Sequence, residues 1–393
     1  MKRPPCDHRL VTLERDDRCR AGLQSKPGAG NSDGISMRLE AALDRRANHL
    51  TLIRVLAAVA VLVSHSWTLT LGPGTPEPLS GLFGMSLGSV SVLVFFGISG
   101  VLIPMSLERA ETLAIWARAR ILRIFPALFC VALLTALVLG PLFTTEEIGA
   151  YFGSTAPVRY VLNVATLAKV NTALPGVFEA ATPAPHVNGS LWTLPYEVGC
   201  YLLVALLGTA GLFRRQTGVL AVAALLAVTA FAVWQRKALG LSYTSLGHFL
   251  NFALPFLTGT LFYLLRRRIL LNWKPALVLL GLTWAALGTD FLRPMLSVTL
   301  VYWVLWIGLV PQGSLLAYNR LGDYSYGTYI YAFPIQQTVA QVMPGISPVA
   351  AIAVALPITL CFAVLSWLLV ERPALRLKRR HAPAPAAPVM TAG

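Results

Sequence analysis

Charge is scarce in this chain. Asp, Glu, Lys and Arg make up 12% of its 393 residues, about half the share of an ordinary soluble domain, against 56% hydrophobic residues and a mean hydropathy of +0.65. A water-soluble enzyme is excluded. Cysteine is scarce too: Cys6, Cys19, Cys130, Cys200 and Cys361 are scattered without CxxC spacing, the last three inside apolar runs, so a disulfide framework or zinc site finds no support. No GxSxG motif marks an activated serine. The period-two alternation of an outer-membrane barrel is missing as well. In its place stand uninterrupted apolar runs of about 20 residues, the length an α-helix needs to cross about 30 Å of hydrocarbon. The expected fold class is an all-α integral membrane protein.

What charge there is has a pattern. Thirty-two Lys and Arg against 17 Asp and Glu give +15, but the basic residues sit in short clusters between apolar runs. That argues against a nucleic-acid partner, which needs one solvated basic face, and marks cytoplasmic loops instead. Breaking the apolar windows at Pro, Gly and charge predicts about ten transmembrane helices, at 50–71, 82–107, 121–143, 191–213, 217–235, 246–265, 275–287, 292–310, 323–343 and 347–370. The seventh is short, and 158–170 reads as a loop or as a re-entrant or interfacial segment. With the N-terminus inside, the cytoplasmic loops hold 19 Lys and Arg and the outer loops 5. This distribution requires an even number of spans and puts both termini in the cytoplasm.

Three regions follow. Residues 1–49 form a cytoplasmic N-terminal segment, disordered to residue 36 and then amphipathic from Met37 (MRLEAALDRRANHL); whether translation starts at Met1 or Met37 stays open. The segment has no apolar core of a signal peptide. Residues 50–373 are the transmembrane domain, and 374–393 a basic, then Pro/Ala-rich, cytoplasmic tail whose end, HAPAPAAPVMTAG, has no reason to fold. The longest stretch between helices, 144–190, is expected outside, where loops of that length are usually functional.

An ionisable side chain within the membrane costs about 2.5 kcal/mol or more on insertion scales, so each one asks for a role. Arg54 and His65 lie 11 residues apart in the first helix. At 100° per residue they fall within about 20° of one another and some 16 Å apart along the axis, on one face turned to a common interior groove. Snorkelling explains Arg54 and an interior hydrogen bond explains His65 without function, but the shared face favours function. Histidine titrates near neutrality and suits general-base work. The candidate carboxylate partner is Glu197, a few residues into the fourth helix, with a merely interfacial Glu197 as the alternative. In WARARILRIFP, Arg120 and Arg123 are three apart on one helical face and could clamp a phosphate; ordinary cytoplasmic charge accounts for Arg109 and Arg118. Gly97, Ser99 and Gly100 read as helix packing, and several of the tyrosines from Tyr324 to Tyr331 as an aromatic belt.

Taken in order, these residues resemble the membrane-bound acyltransferase 3 family. The resemblance rests on Arg54 followed by ten residues and His65, FFGISG at 95–100, RILRIFP at 120–126, SLWTLPYE at 190–197, LGDYSYGTYIYAFP at 321–334 and ERP at 371–373, and covers nearly the whole membrane region. It implies an inner-membrane O-acyltransferase that moves an acyl group, most often acetyl, from cytoplasmic acetyl-CoA to a hydroxyl of a cell-surface or lipid-linked glycan. His65 would be the catalytic histidine, Arg54 its essential companion, and Arg120 and Arg123 the contacts to CoA phosphates. No metal is expected. The implied partners are membrane lipid, acyl-CoA and the glycan acceptor, together with glycan-assembly proteins for any second transfer step. The family often carries a histidine before the proline of the ninth helix, where this chain has Ala332 and Phe333. Direct transfer and a transient acyl-enzyme both stay open, and a transporter or flippase is the rival class, because intramembrane Arg and His can also line a solute pathway.

Overall fold

The computed structural model describes residues 36–45, 47–170, 172–179, 186–214 and 216–377. The expectation of a disordered 1–36, save for residue 36 itself, the unfolded end HAPAPAAPVMTAG, and the thiols Cys6 and Cys19 lie outside them; the first residues of the 374–393 tail continue a short helix, Arg372–Arg376. The fold is helical from end to end, and each of the ten expected apolar segments is a helix. A short lead-in, α1 (Leu39–Asp44), is followed by α2 (Leu50–Leu71), α3 (Leu87–Glu108), α4 (Leu113–Leu134), α5 (Ile148–Gly153), α6 (Ala156–Ala165) and α7 (Leu194–Thr209). The second half holds α8 (Gln216–Trp234), α9 (Ser245–Leu264), α10 (Trp273–Ala285), α11 (Leu292–Leu309), α12 (Ser325–Val342) and α13 (Pro348–Ser366). Seven helices among the described residues are long and apolar enough to cross a membrane. The other three expected spans are α10, with 13 residues, and α9 and α12, which carry His248, Asn251, Gln336 and Gln337 among their apolar residues.

Local chemistry sets several helix starts. Ser86, Thr112, Thr244, Asn272 and Ser347 each accept a hydrogen bond from a backbone N–H in the first turn of the helix they precede. Those N–H groups have no partner inside the helix, and in hydrocarbon the omission would be costly. Small residues then decide which helices meet. A Cβ on Gly100 would run into the backbone of Phe256, and one on Gly259 into the backbone of Gly97 and Gly100. Helices α3 and α9 therefore touch main chain to main chain, with the Thr260 hydroxyl donating to the Gly100 carbonyl at 3.0 Å. This is the packing role expected of FFGISG.

Helix α12 runs through the centre, packed between α2 and α13. Its glutamines are buried, and the Gln336 amide N–H group donates to the Leu62 carbonyl and to Ser66 Oγ, both at 2.7 Å. Apolar side chains such as Leu206, Leu220, Val228 and Phe231 face outward on the peripheral helices, as lipid-facing residues do. The two-residue strand β1 (Met37–Arg38) pairs antiparallel with β2 (Leu270–Leu271), and Leu39, Ala42 and Leu43 of α1 are buried against the cluster containing Leu271 and Ala276.

One expectation needs correction. Residues 144–190 were expected as a long loop with 158–170 unassigned, yet α5 and α6 form there and α6 packs on α4. Tyr151 and Tyr160 are fully buried, and the Tyr151 hydroxyl donates to the Ala136 carbonyl at 2.8 Å, over Gly140, where any side chain would collide with the ring. The segment has its own amphipathic helix and its own anchor.

Candidate active site

Two cavities lie end to end in the bundle. The first, of about 290 Å³, is lined by Arg54, Arg120, Arg123, Glu197, Tyr201 and Asp323, among others. The second, of about 760 Å³, is lined by His65, Glu77, Trp192, Arg236, His248 and Arg293, among others. Val92 and Tyr329 belong to the walls of both. Tyr329 is held firmly: its hydroxyl donates to the Ser190 carbonyl at 2.6 Å and lies 2.7 Å from Thr193 Oγ1.

Arg54 and His65 thus share a helix face but not a groove, which corrects the expectation of a common one. About three turns of α2 separate them, enough to put one at each cavity. Arg54 donates to Asp323 Oδ2 at 2.6 Å, and Arg123 donates to the same oxygen at 2.6 Å and to Glu371 Oε2 at 3.0 Å. Asp323 Oδ1 accepts from the Ser325 hydroxyl at 2.5 Å, and Glu371 Oε1 from the Ser366 hydroxyl at 3.0 Å. The Arg123 guanidinium also lies 5.8 Å from the ring centres of both Tyr326 and Trp367. This network ties α2, α4, the start of α12 and the turn after α13 into one knot.

Arg120 and Arg123 line one cavity but differ in their partners: Arg123 is engaged by two carboxylates. Arg120 is different: its Nη2 reaches only Ser106 Oγ, at 3.5 Å, and its Nε is buried without a partner. Glu197 sits in the Arg120 cavity, where the Tyr201 hydroxyl donates to it, and not in the cavity of His65.

His65 stands edge-on to Phe333, with ring centres 5.3 Å apart, and its Nδ1 is buried without a partner. Gly189 leaves room for the Phe333 ring. The carboxylate in this cavity is Glu77, in the loop after α2, which accepts from the Ser64 hydroxyl. It was missed from the sequence, although a signal existed: Glu77 is the single acidic residue between Asp44 and Glu108. Asp323 and Glu371 were seen inside LGDYSYG and ERP but not as partners of the arginines. Among the described residues no group of three His, Cys, Asp or Glu is arranged to hold a metal ion.

The model of an acyltransferase domain matches residues 48–368. The chain belongs to the membrane-bound acyltransferase 3 family. An O-acetyl transferase of Shigella phage Sf6 is 31% identical over 348 residues, covering 83% of this chain and 96% of that protein. Nodulation protein 10 of Rhizobium leguminosarum bv. viciae is 30% identical over 370 residues, covering 84% of this chain and 94% of that one. No solved structure matches. The protein is thus an enzyme, a multi-pass membrane acyltransferase, and the transporter alternative falls away. As chemistry, the first cavity offers Arg120 N–H donors beside a locked ion-pair knot. The second offers an imidazole in a wide polar chamber.

Proposed function

We propose that this acyltransferase is an inner-membrane O-acetyltransferase, moving acetyl from cytoplasmic acetyl-CoA to a hydroxyl of a cell-surface or lipid-linked glycan. The supporting observation is the pair of cavities that meet at Val92 and Tyr329. A donor confined to one side of a membrane and an acceptor confined to the other require two chambers with one point of contact. The excess of Lys and Arg in alternate loops supports ten crossings with both termini in the cytoplasm, which turns the Arg120 cavity inward and the His65 cavity outward. The name of the phage relative supports acetyl as the group moved.

The residues then divide the work. Arg120, with its unpartnered Nε, holds an oxygen of the donor through charge-assisted bonds. A chamber of about 290 Å³ suits a narrow flexible arm, with the nucleotide left at its mouth. His65 takes the proton of the acceptor hydroxyl as its oxygen attacks the thioester carbonyl; the carbon–sulfur bond breaks and the thiolate leaves to be protonated. Glu197 keeps its place in the donor cavity, where its carboxylate faces the arginine side. Direct transfer is the simpler route, because the serines flanking His65 are buried and line neither cavity, and Ser66 is already bonded to Leu62 and Gln336. Arg54, Asp323, Arg123 and Glu371 fix the helix ends around the donor.

The test is transfer of radiolabelled acetyl from acetyl-CoA to glycan in membrane vesicles, comparing wild type with His65→Ala at equal protein level. Label in glycan with the wild type alone is expected. Full transfer by the His65→Ala variant would remove the mechanism, and no transfer by the wild type would remove the reaction.

A further inference from the structure

The His65 cavity is strongly and unevenly charged. Arg236 and Arg293 line both this cavity and a neighbouring one of about 340 Å³, so they stand where the two join. Lys237 nearby is already satisfied: its ammonium bonds to Asp290 at 2.8 Å and holds that carboxyl below the usual carboxylate range. Arg236 and Arg293 are not. Neither has a salt bridge to a carboxylate among the described residues; Arg293 donates to the neutral Asn251 amide oxygen at 3.1 Å. Arg236, Arg293 and His248 all line the larger cavity, so two guanidiniums and an imidazole share its wall. Glu77, the acid in the main cavity, already accepts from Ser64.

Two half-buried guanidiniums share these walls with a single carboxylate, Asp290, which is already bonded to Lys237, so one anion is spread over three cations. Arg54 and Arg123, by contrast, are each paired directly with Asp323. Beside them Trp192, packed edge-on against His248 with ring centres 5.1 Å apart, offers a flat apolar surface of the kind a sugar ring can lie on. The geometry points to an acceptor that carries a negative charge, a carboxylate or a phosphate, which Arg236 and Arg293 bind while the neighbouring sugar presents its hydroxyl to His65. The inference rests on the glycan acylation proposed above and narrows its acceptor to anionic glycans. The charge has two chemical sources, an acidic sugar in the chain or a diphosphate joining the sugar to its lipid carrier.

Binding and turnover are read separately on the full chain in lipid nanodiscs. Three probes are used: a short oligosaccharide containing glucuronate, the same oligosaccharide with its carboxyl reduced, and that neutral sugar on a short prenyl diphosphate. Equilibrium binding without acetyl-CoA is expected to favour an anionic probe over the neutral one by about tenfold or more. Preference for the glucuronate puts the charge in the glycan, and preference for the prenyl diphosphate puts it on the carrier. Arg236→Gln and Arg293→Gln should each erode that preference, and Arg293→Lys should restore part of it. Equal binding of all three probes, or a preference untouched by both glutamine variants, overturns the inference. Acetyl transfer to the same probes tests the reaction itself: anionic preference in binding with no transfer to any probe would defeat the acetyltransferase proposal while leaving the anion site standing.

Discussion

Arg120 and Arg123 stand one turn apart on the same helix, yet one is spoken for and the other is not. Arg123 is wrapped by two carboxylates and two aromatic rings, whereas Arg120 has a weak contact to Ser106 and a buried Nε with no partner. The difference teaches that a motif is not a site. Two residues of one sequence pattern hold different jobs because one of them meets Asp323 and Glu371 across the bundle and the other faces an open chamber. The same contrast repeats between the two cavities, the Arg54 side with its charges largely paired and the His65 side with two arginines, Arg236 and Arg293, that form no salt bridge among the described residues.

The sharpest way to break the division is at its chemical centre. His65→Ala should lower acetyl transfer by about a hundredfold to ten-thousandfold, the range general-base catalysis supplies, with the KM for acetyl-CoA little changed. Next comes the knot. Asp323→Ala leaves Arg54 and Arg123 facing each other without their shared anion and should cost about 3–5 kcal/mol, read as a loss of thermal stability in detergent. Arg120→Ala should act on the donor instead: the KM for acetyl-CoA rises about tenfold to a hundredfold, and stability hardly moves. If Arg120→Ala unfolds the protein and Asp323→Ala leaves it stable, the roles assigned to the two arginines are reversed. The smallest effect belongs to the partition. Tyr329→Phe removes the hydroxyl that ties the wall to Ser190 and should cost about 1 kcal/mol of stability, measured in the same unfolding experiment.

Much of this was legible in the sequence, and the failures have a common cause. Helix positions follow from runs of apolar residues long enough to cross hydrocarbon, which is a local property, and all ten expected segments are helical. Gly97 and Gly100 were legible for the same reason: small residues in an apolar run invite a neighbouring backbone. The angle between Arg54 and His65 was also local. What periodicity cannot supply is the partner. Asp323 lies 269 residues from Arg54 and 200 from Arg123, and no repeat in either helix points to it. Glu197 was matched to His65 for want of a visible carboxylate, while Glu77 sat in a Pro/Gly-rich loop that carries no helical pattern at all. Helix α5 was overlooked, and α6 was seen only as a possible re-entrant or interfacial segment at 158–170, because both are too short and too polar to register as apolar runs, although Tyr151 and Tyr160 are fully buried.

The long separation within the ion-pair knot has a consequence for how the protein is made. A chain emerging at about 5–20 residues per second delivers Arg54 to the membrane roughly 15–50 s before Asp323 exists to neutralise it. Arg54 is the fifth residue of α2, close enough to the helix end for its long side chain to reach water in the interval. Arg123, midway along α4, has a shorter wait but a deeper position. Arg54 therefore enters the bilayer with its charge near the surface, and the bundle closes over it and over Arg123 only when α12 and the turn after α13 arrive.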